Sequence, residues 1–139
     1  MDIRKVKDTV ILKMSEDDLN ESRATFAAVE DLLKIEGERK LVLDLSAIDS
    51  IYSLQIGTLV TIHVLCYENV AVMTLAGANE KVKALLKMVG LDALMEMHHG
   101  VDIALKSLGH TEVLVASKDS KDSKRRTRPA KPVDPRVRR

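Results

Sequence analysis

Ser53 carries the hydroxyl with the most chemical promise in this chain. It follows the polar turn Ser46-Ala47-Ile48-Asp49-Ser50 and precedes an apolar stretch, Leu54 to Tyr67, too long and unpunctuated for a strand. The pattern predicts a helix from about Leu54 to Tyr67 with Ser53 at its start. An oxygen there accepts bonds from free backbone N–H groups, and the helix dipole favours negative charge at that end. As a plain N-cap it would add ~1 kcal/mol to the helix.

The remaining reactive residues make weaker patterns. His98-His99, with Asp102 and His110 nearby, has neither a Cys pair nor His-Glu-x-x-His spacing, so surface histidines at a turn are expected rather than a metal site. His63 lies within the apolar helix and reads as a satisfied interior or interface residue. Cys66 has no cationic neighbour in sequence and reads as an inert buried thiol. No phosphate-cradling glycine loop, nucleophile elbow or paired-carboxylate pattern is present, and no enzyme, metal or cofactor is expected.

The elements that must position Ser53 follow from periodicity and breakers. Thr9 to Met14 reads as a first strand, bounded by Asp8 and by Ser15-Glu16-Asp17-Asp18. Phe26, Val29, Leu32 and Leu33 recur at helical spacing between Leu19 and Ile35, with Asn20 or Ser22 as cap and Gly37 as terminator. Lys40 to Leu45 is the central strand, and Asn69 stops the apolar helix that follows. Val70 to Ala76 is the next strand and Gly77 its turn; Asn79 caps a helix from Glu80 to Val89, closed by Gly90 and Leu91. Leu91 to Met97 is a short apolar turn or strand, Val101 to Leu108 a final helix, and Thr111 to Val115 a last strand. Strands alternating with helices imply βαβ units and a largely parallel sheet. The helix 54–67 is apolar almost all round, which predicts burial within its own chain ahead of a face turned to a partner.

Composition divides the 139 residues in two. Apolar residues make up 45% of the chain, enough for a core, and with Phe26, Tyr52 and Tyr67 its only aromatics that core is aliphatic. Residues 118–139 hold ten Lys/Arg and three Asp, a charge of +7; residues 1–117 hold twelve Lys/Arg and eighteen Asp/Glu, a charge of −6. The reading is one domain at 1–117 and a disordered basic tail at 118–139. The tail lacks aromatics for base stacking, so no specific nucleic-acid partner is expected. A lone cysteine, no apolar leader in residues 1–7 and no span-length apolar run predict a cytoplasmic protein without a membrane span.

Residues 42–57 and 82–91 carry a family resemblance. Val42-Leu43-Asp44-Leu45 followed by Tyr52-Ser53-Leu54-Gln55-Ile56-Gly57 resembles the strand and D-S-[ST]-G-L-G helix start of the STAS domain (sulfate transporter and anti-sigma-factor antagonist). Val82-Lys83-Ala84-Leu85-Leu86-Lys87-Met88-Val89-Gly90-Leu91 keeps a later V-x-x-L-L-x-x-x-G-L. The resemblance covers about residues 8–115 and is nearest to the stand-alone bacterial anti-sigma-factor antagonists. It implies an α/β fold: a mixed, largely parallel four- to five-stranded sheet with helices packed mainly on one face.

The resemblance also implies a non-enzymatic regulator of transcription. Ser53 matches the family's phosphorylated serine, and Asp49, Ser50, Tyr52, Ser53, Leu54, Gln55 and Gly57 its partner-binding segment. The implied partners are an anti-sigma factor with a serine-kinase fold and a phosphatase, exchanged by partner switching. The motif departs from the family at Tyr52, Leu54 and Gln55, where aspartate, a small residue and glycine are usual. The alternative is a STAS scaffold without the phosphorylation switch, a homodimer or a subunit of a larger assembly, using the apolar helix 54–67 as its interface.

Overall fold

The computed structural model describes residues 1–109. The strand expected at Thr111–Val115, His110 and the tail at 118–139 lie outside the described residues. Short aliphatic runs build the centre: β2 (Thr9–Lys13), β3 (Lys40–Asp44) and β4 (Val72–Ala76) lie side by side and parallel. Their alternate residues face two separate cores. Val10, Leu12, Leu41, Leu43, Met73 and Leu75 point to one side, and Ile11, Val42 and Ala76 to the other. Strands covered on both faces carry continuous apolar runs rather than alternation, and β2 and β3 read that way.

Two more strands bring the sheet of the described residues to five, mixed, in the order β1-β2-β3-β4-β5. β1 (Asp2–Val6) is antiparallel to β2, and β5 (Met97–His98) adds two parallel residues beside β4. The larger core is roofed by α1 (Glu16–Asn20), α2 (Ser22–Glu30), α3 (Ser53–Glu68) and α4 (Glu80–Met88). Among the described residues only α5 (Val101–Gly109) covers the other face, laying Ala104 and Leu108 on Ile11, Val42 and Ala76. The expected mixed, largely parallel sheet with helices mainly on one face is therefore what forms.

Three local expectations are corrected. The strand expected at Thr9 to Met14 forms as β2, but it is not the first: the charged edge segment Asp2–Val6 precedes it, and an edge strand that keeps Arg4 and Lys5 exposed looks like a solvated leader. Helix begins at Glu16, not near Leu19, and neither Asn20 nor Ser22 caps it. Ser15 does: its Oγ accepts from the Asp18 N–H at 3.1 Å, and Asp18 Oδ2 accepts from the Ser15 N–H at 2.8 Å. The chain breaks at Glu21 before α2, and the Thr25 hydroxyl donates to the Asp18 carbonyl across the break. Burial works against the Asp18 carboxylate, but bonds from Ser15 and from the Met1 ammonium at 3.3 Å hold it below the ordinary aspartate range.

The third correction concerns α3. It is not enclosed by its own chain: Gln55, Thr58, Leu59, Ile62 and Cys66 are buried, while Leu54, Val64 and Tyr67 stand in solvent. Two polar side chains point in and three apolar ones point out, so the helix has no amphipathic stripe from which its orientation could be read. Its end is also strained. Val70, just past the Asn69 cap, adopts φ +56°, a left-handed conformation that costs an L-residue roughly 1–2 kcal/mol, and its β-branch adds to that. Val70→Gly is expected to raise stability by about 1 kcal/mol, read as a higher urea midpoint at unchanged slope.

Candidate functional site

The loop between β3 and α3 presents Ser53, and four neighbours hold that loop still. The Leu45 N–H donates to the Ala76 carbonyl at 2.8 Å, and the Ser46 N–H donates to Asp44 Oδ1 at 3.0 Å. Glu16 Oε2, at the start of α1, accepts from the Asp49 N–H at 3.0 Å. Asn79 Nδ2 donates to the carbonyls of Ile48 and Asp49 at 3.3 and 3.0 Å. Ile48 and Ile51 are buried beneath the turn, so the loop is pinned from below as well as from both sides. Gly77 is required here: its φ is +77°, and a Cβ would lie 3.0 Å from Asp44 Oδ1 and 3.3 Å from Ser46 Cβ.

Asn79 serves two elements at once, since its Oδ1 also accepts from the Val82 N–H at 2.7 Å and caps α4 as expected. Asn79→Ala removes the cap and both loop bonds, and a loss of about 2 kcal/mol is expected. Asn79→Asp keeps the cap acceptor and loses only the donor, so about half that loss is expected; denaturant unfolding of the two variants separates the roles.

Ser53 itself is not the N-cap. Tyr52 holds the extended cap backbone at φ −127°, ψ 173°, and Ser53 is the first residue inside α3. The reason lies two residues on. Gln55 Oε1 accepts from the Tyr52 N–H at 2.9 Å, which makes half a capping box and fixes the helix start one residue earlier than the sequence suggested. Among the described residues no side chain caps the free N–H groups of the first turn. The Ser53 hydroxyl is exposed and has no protein partner among the described residues.

The seven residues singled out from sequence divide into two groups. Asp49, Tyr52, Ser53, Leu54 and Gly57 are exposed together around the start of α3, with Tyr52 at 67% and Leu54 at 63% exposure. Ser50 is half-buried. Gln55 turns the other way: it is 3% exposed, and its Nε2 donates to Asn20 Oδ1 of α1 at 3.2 Å. The amide that departs from the family glycine therefore joins α3 to α1 and is not displayed beside Ser53. Thr58 adds a second tie, its hydroxyl donating to the Leu19 carbonyl at 2.8 Å.

Gly57 is the odd member of the exposed group. It sits inside a regular helix, and among the described residues nothing lies within 4 Å of where its Cβ would be. The fold gains nothing from it, while glycine in a helix interior costs about 1 kcal/mol relative to alanine. Gly57→Ala is accordingly expected to stabilise the protein by about 1 kcal/mol in chemical denaturation.

Glu16 and Asn20 were not legible as contributors, because each acts across more than thirty residues of chain. The Ser15-to-Asp18 capping box was the one local sign that a helix stood there. His98 closes β5 rather than occupying a surface turn; its Nε2 lies 3.1 Å from Glu96 Oε1, with most of its ring covered, while His99 is exposed. Among the described residues no group of three His, Cys, Asp or Glu side chains is placed to hold a metal. His63 is half-buried on α3. Burial of Cys66 pushes its thiol up to about 12, so it stays protonated and unreactive at neutral pH. No described helix is long and apolar enough to cross a membrane.

The same architecture occurs in solved proteins. TM1081 of Thermotoga maritima matches with a TM-score of 0.67 at 24% identity, over 78% of this chain and 94% of that one. A serine-to-glutamate variant of RsbS from Moorella thermoacetica matches with a TM-score of 0.65 at 26% identity, over 78% and 96%. A chain from the stressosome, described as a signal integration and transduction hub, matches at 0.64 and 27%, over 79% and 100%. No functionally curated protein matches the sequence. The STAS domain family model matches residues 1–104, the whole sheet and the start of α5. With that match over about three quarters of its length, the chain belongs to the STAS domain family.

Proposed function

We propose that this protein is an anti-sigma-factor antagonist that works by partner switching, and that phosphorylation of Ser53 sets its state. In this reading the unmodified protein binds an anti-sigma factor of serine-kinase fold, through the surface formed by Tyr52, Ser53, Leu54 and Gly57 with Asp49 and Ser50 at its edge. The kinase transfers the γ-phosphoryl group of ATP to Ser53 Oγ, the hydroxyl proton leaves and ADP is released. A phosphatase later hydrolyses the ester.

The observation that carries the proposal is the exposed, unpartnered Ser53 hydroxyl on the uncapped first turn of α3. A phosphoryl group there adds about −1.5 to −2 charges, and the free N–H groups and dipole of the helix offset that charge within the domain. At a contact with another protein nothing offsets it. Gly57 supports the same surface, since a glycine that weakens its helix and relieves no crowding suits close approach by a partner.

Co-purification followed by intact mass tests the reading. It predicts a kinase-fold partner and a single added phosphate that disappears in Ser53→Ala. Equal partner affinity for the unmodified protein, Ser53→Ala and Ser53→Asp would remove the switch. A second reading, a scaffold subunit or homodimer without the switch, draws on Val64 and on Tyr67 at 78% exposure, which extend the open side of α3 beyond Ser53. It predicts a stable non-kinase complex or a dimer free of phosphate.

A further inference from the structure

The face of α3 that bears Ser53 combines exposed apolar side chains with an acidic border. Leu54 and Tyr52 project at its centre. The start of α1 is fastened beside it through Glu16 to the Asp49 N–H and through Asn20 to Gln55. That fastening sets the exposed Glu16 beside the exposed Asp49, three residues before Tyr52, and Asp17 and Glu21 are exposed on the same short stretch of chain. Of the other described acids, Asp8 pairs with Lys40, Glu30 with Lys34, Glu38 with Lys5 and Glu80 with Lys83, while Asp2, Asp31, Glu36, Asp44, Glu68, Asp92 and Asp102 have no ion pair. Asp18 is met by the Met1 ammonium. Glu16, Asp17, Glu21 and Asp49 have no cationic partner among the described residues.

The same chain carries the complementary charge. Residues 118–139 are +7 against −6 for residues 1–117, and the densest run is Lys124-Arg125-Arg126-Thr127-Arg128. Lys124 lies fifteen residues beyond Gly109. That length of chain spans up to about 50 Å when extended. A domain of this size has a radius of gyration of about 13 Å, so every part of its surface is within that reach.

We propose that the basic segment 124–128 docks in cis on the Ser53 face, its arginines over Tyr52 and Leu54 and its charges against Glu16, Asp17, Glu21 and Asp49. Guanidinium groups suit this surface because they stack on an aromatic face while donating to carboxylates. Tethering supplies an effective concentration in the mM range, so a weak contact is populated. Docked there, the segment competes with any protein that binds the same face, and salt weakens it. The inference concerns the regulation of the surface described above but needs neither the kinase nor the phosphate, so the two stand or fall separately.

The test uses the full chain with a nitroxide on Ser120→Cys; Cys66, buried, does not label. At about 50 mM salt, where screening is weak, amide signals of residues 16–21 and 49–54 are expected to broaden at least about threefold more than those of α5. The difference should vanish at about 0.5 M salt. It should also vanish in the triple variant Glu16→Gln/Asp17→Asn/Asp49→Asn, where the amide oxygen that replaces the Glu16 carboxylate still offers an acceptor to the Asp49 N–H. Equal broadening over the whole surface, or broadening centred on α5, overturns the proposal. So does broadening seen only between labelled and unlabelled copies, which would make the contact one between two chains.

Discussion

Ser53→Asp is expected to weaken partner binding about a hundredfold while leaving the domain at least as stable as before. The two effects have opposite signs because they arise on opposite sides of the same group. Inside the domain, a carboxylate on the first turn of α3 meets free N–H groups and the positive end of the helix, an interaction worth about 0.3–1 kcal/mol in favour of folding. Across an interface the same charge must leave water without a partner. Penalties for unpaired buried charge at contacts run to about 2–5 kcal/mol, and a hundredfold loss is about 2.7 kcal/mol. Ser53→Ala is the control: the hydroxyl has no protein partner among the described residues, so removing it should change stability by under about 0.5 kcal/mol. Thermal unfolding and titration calorimetry on both variants give the pair of signs.

Gln55→Gly is expected to cost about 3 kcal/mol, the largest stability loss at the site, although it restores the residue usual in the family. Gln55 is buried, holds the Tyr52 N–H at 2.9 Å and reaches Asn20 at 3.2 Å. The change removes half a capping box, at about 1 kcal/mol, and adds the helix cost of glycine, about another 1 kcal/mol. It also empties a packed position between α1 and α3, for about 1 kcal/mol more. For a domain of about 100 residues the melting temperature should fall by roughly 15 °C. A drop of only about 1–2 °C would mean that the α1–α3 tie contributes little and that the loop stands without it.

Most of the fold could be read from the chain because its breakers are local. Gly37, Gly77 and Gly90 all adopt positive φ where the sequence placed turns, and Asn69 and Asn79 stop and start helices as expected. The failures share a physical cause. β1 was missed because an edge strand protects itself with charge, and α1 because its capping box looked like a polar loop. The orientation of α3 was hidden because polar Gln55 and Thr58 are satisfied inside by Asn20 and the Leu19 carbonyl, contacts more than thirty residues distant in sequence. Ser53 was placed correctly at the helix start, but its role as a cap was not, since Gln55 occupies the Tyr52 N–H and shifts the start by one residue.

Amide exchange with and without the co-purified partner tests the central claim most directly. The N–H groups of Ser53 and Leu54 lie in the first turn of α3, outside its ladder of hydrogen bonds, so at about 0.5 M salt, where the basic segment is released, they exchange quickly in the free protein and slow only if something covers them. Docking on the Ser53 face predicts at least about tenfold slower exchange at these two amides, with α5 unchanged. Partner binding that leaves them as fast as before, while protecting α5 or the β1 edge, would contradict it.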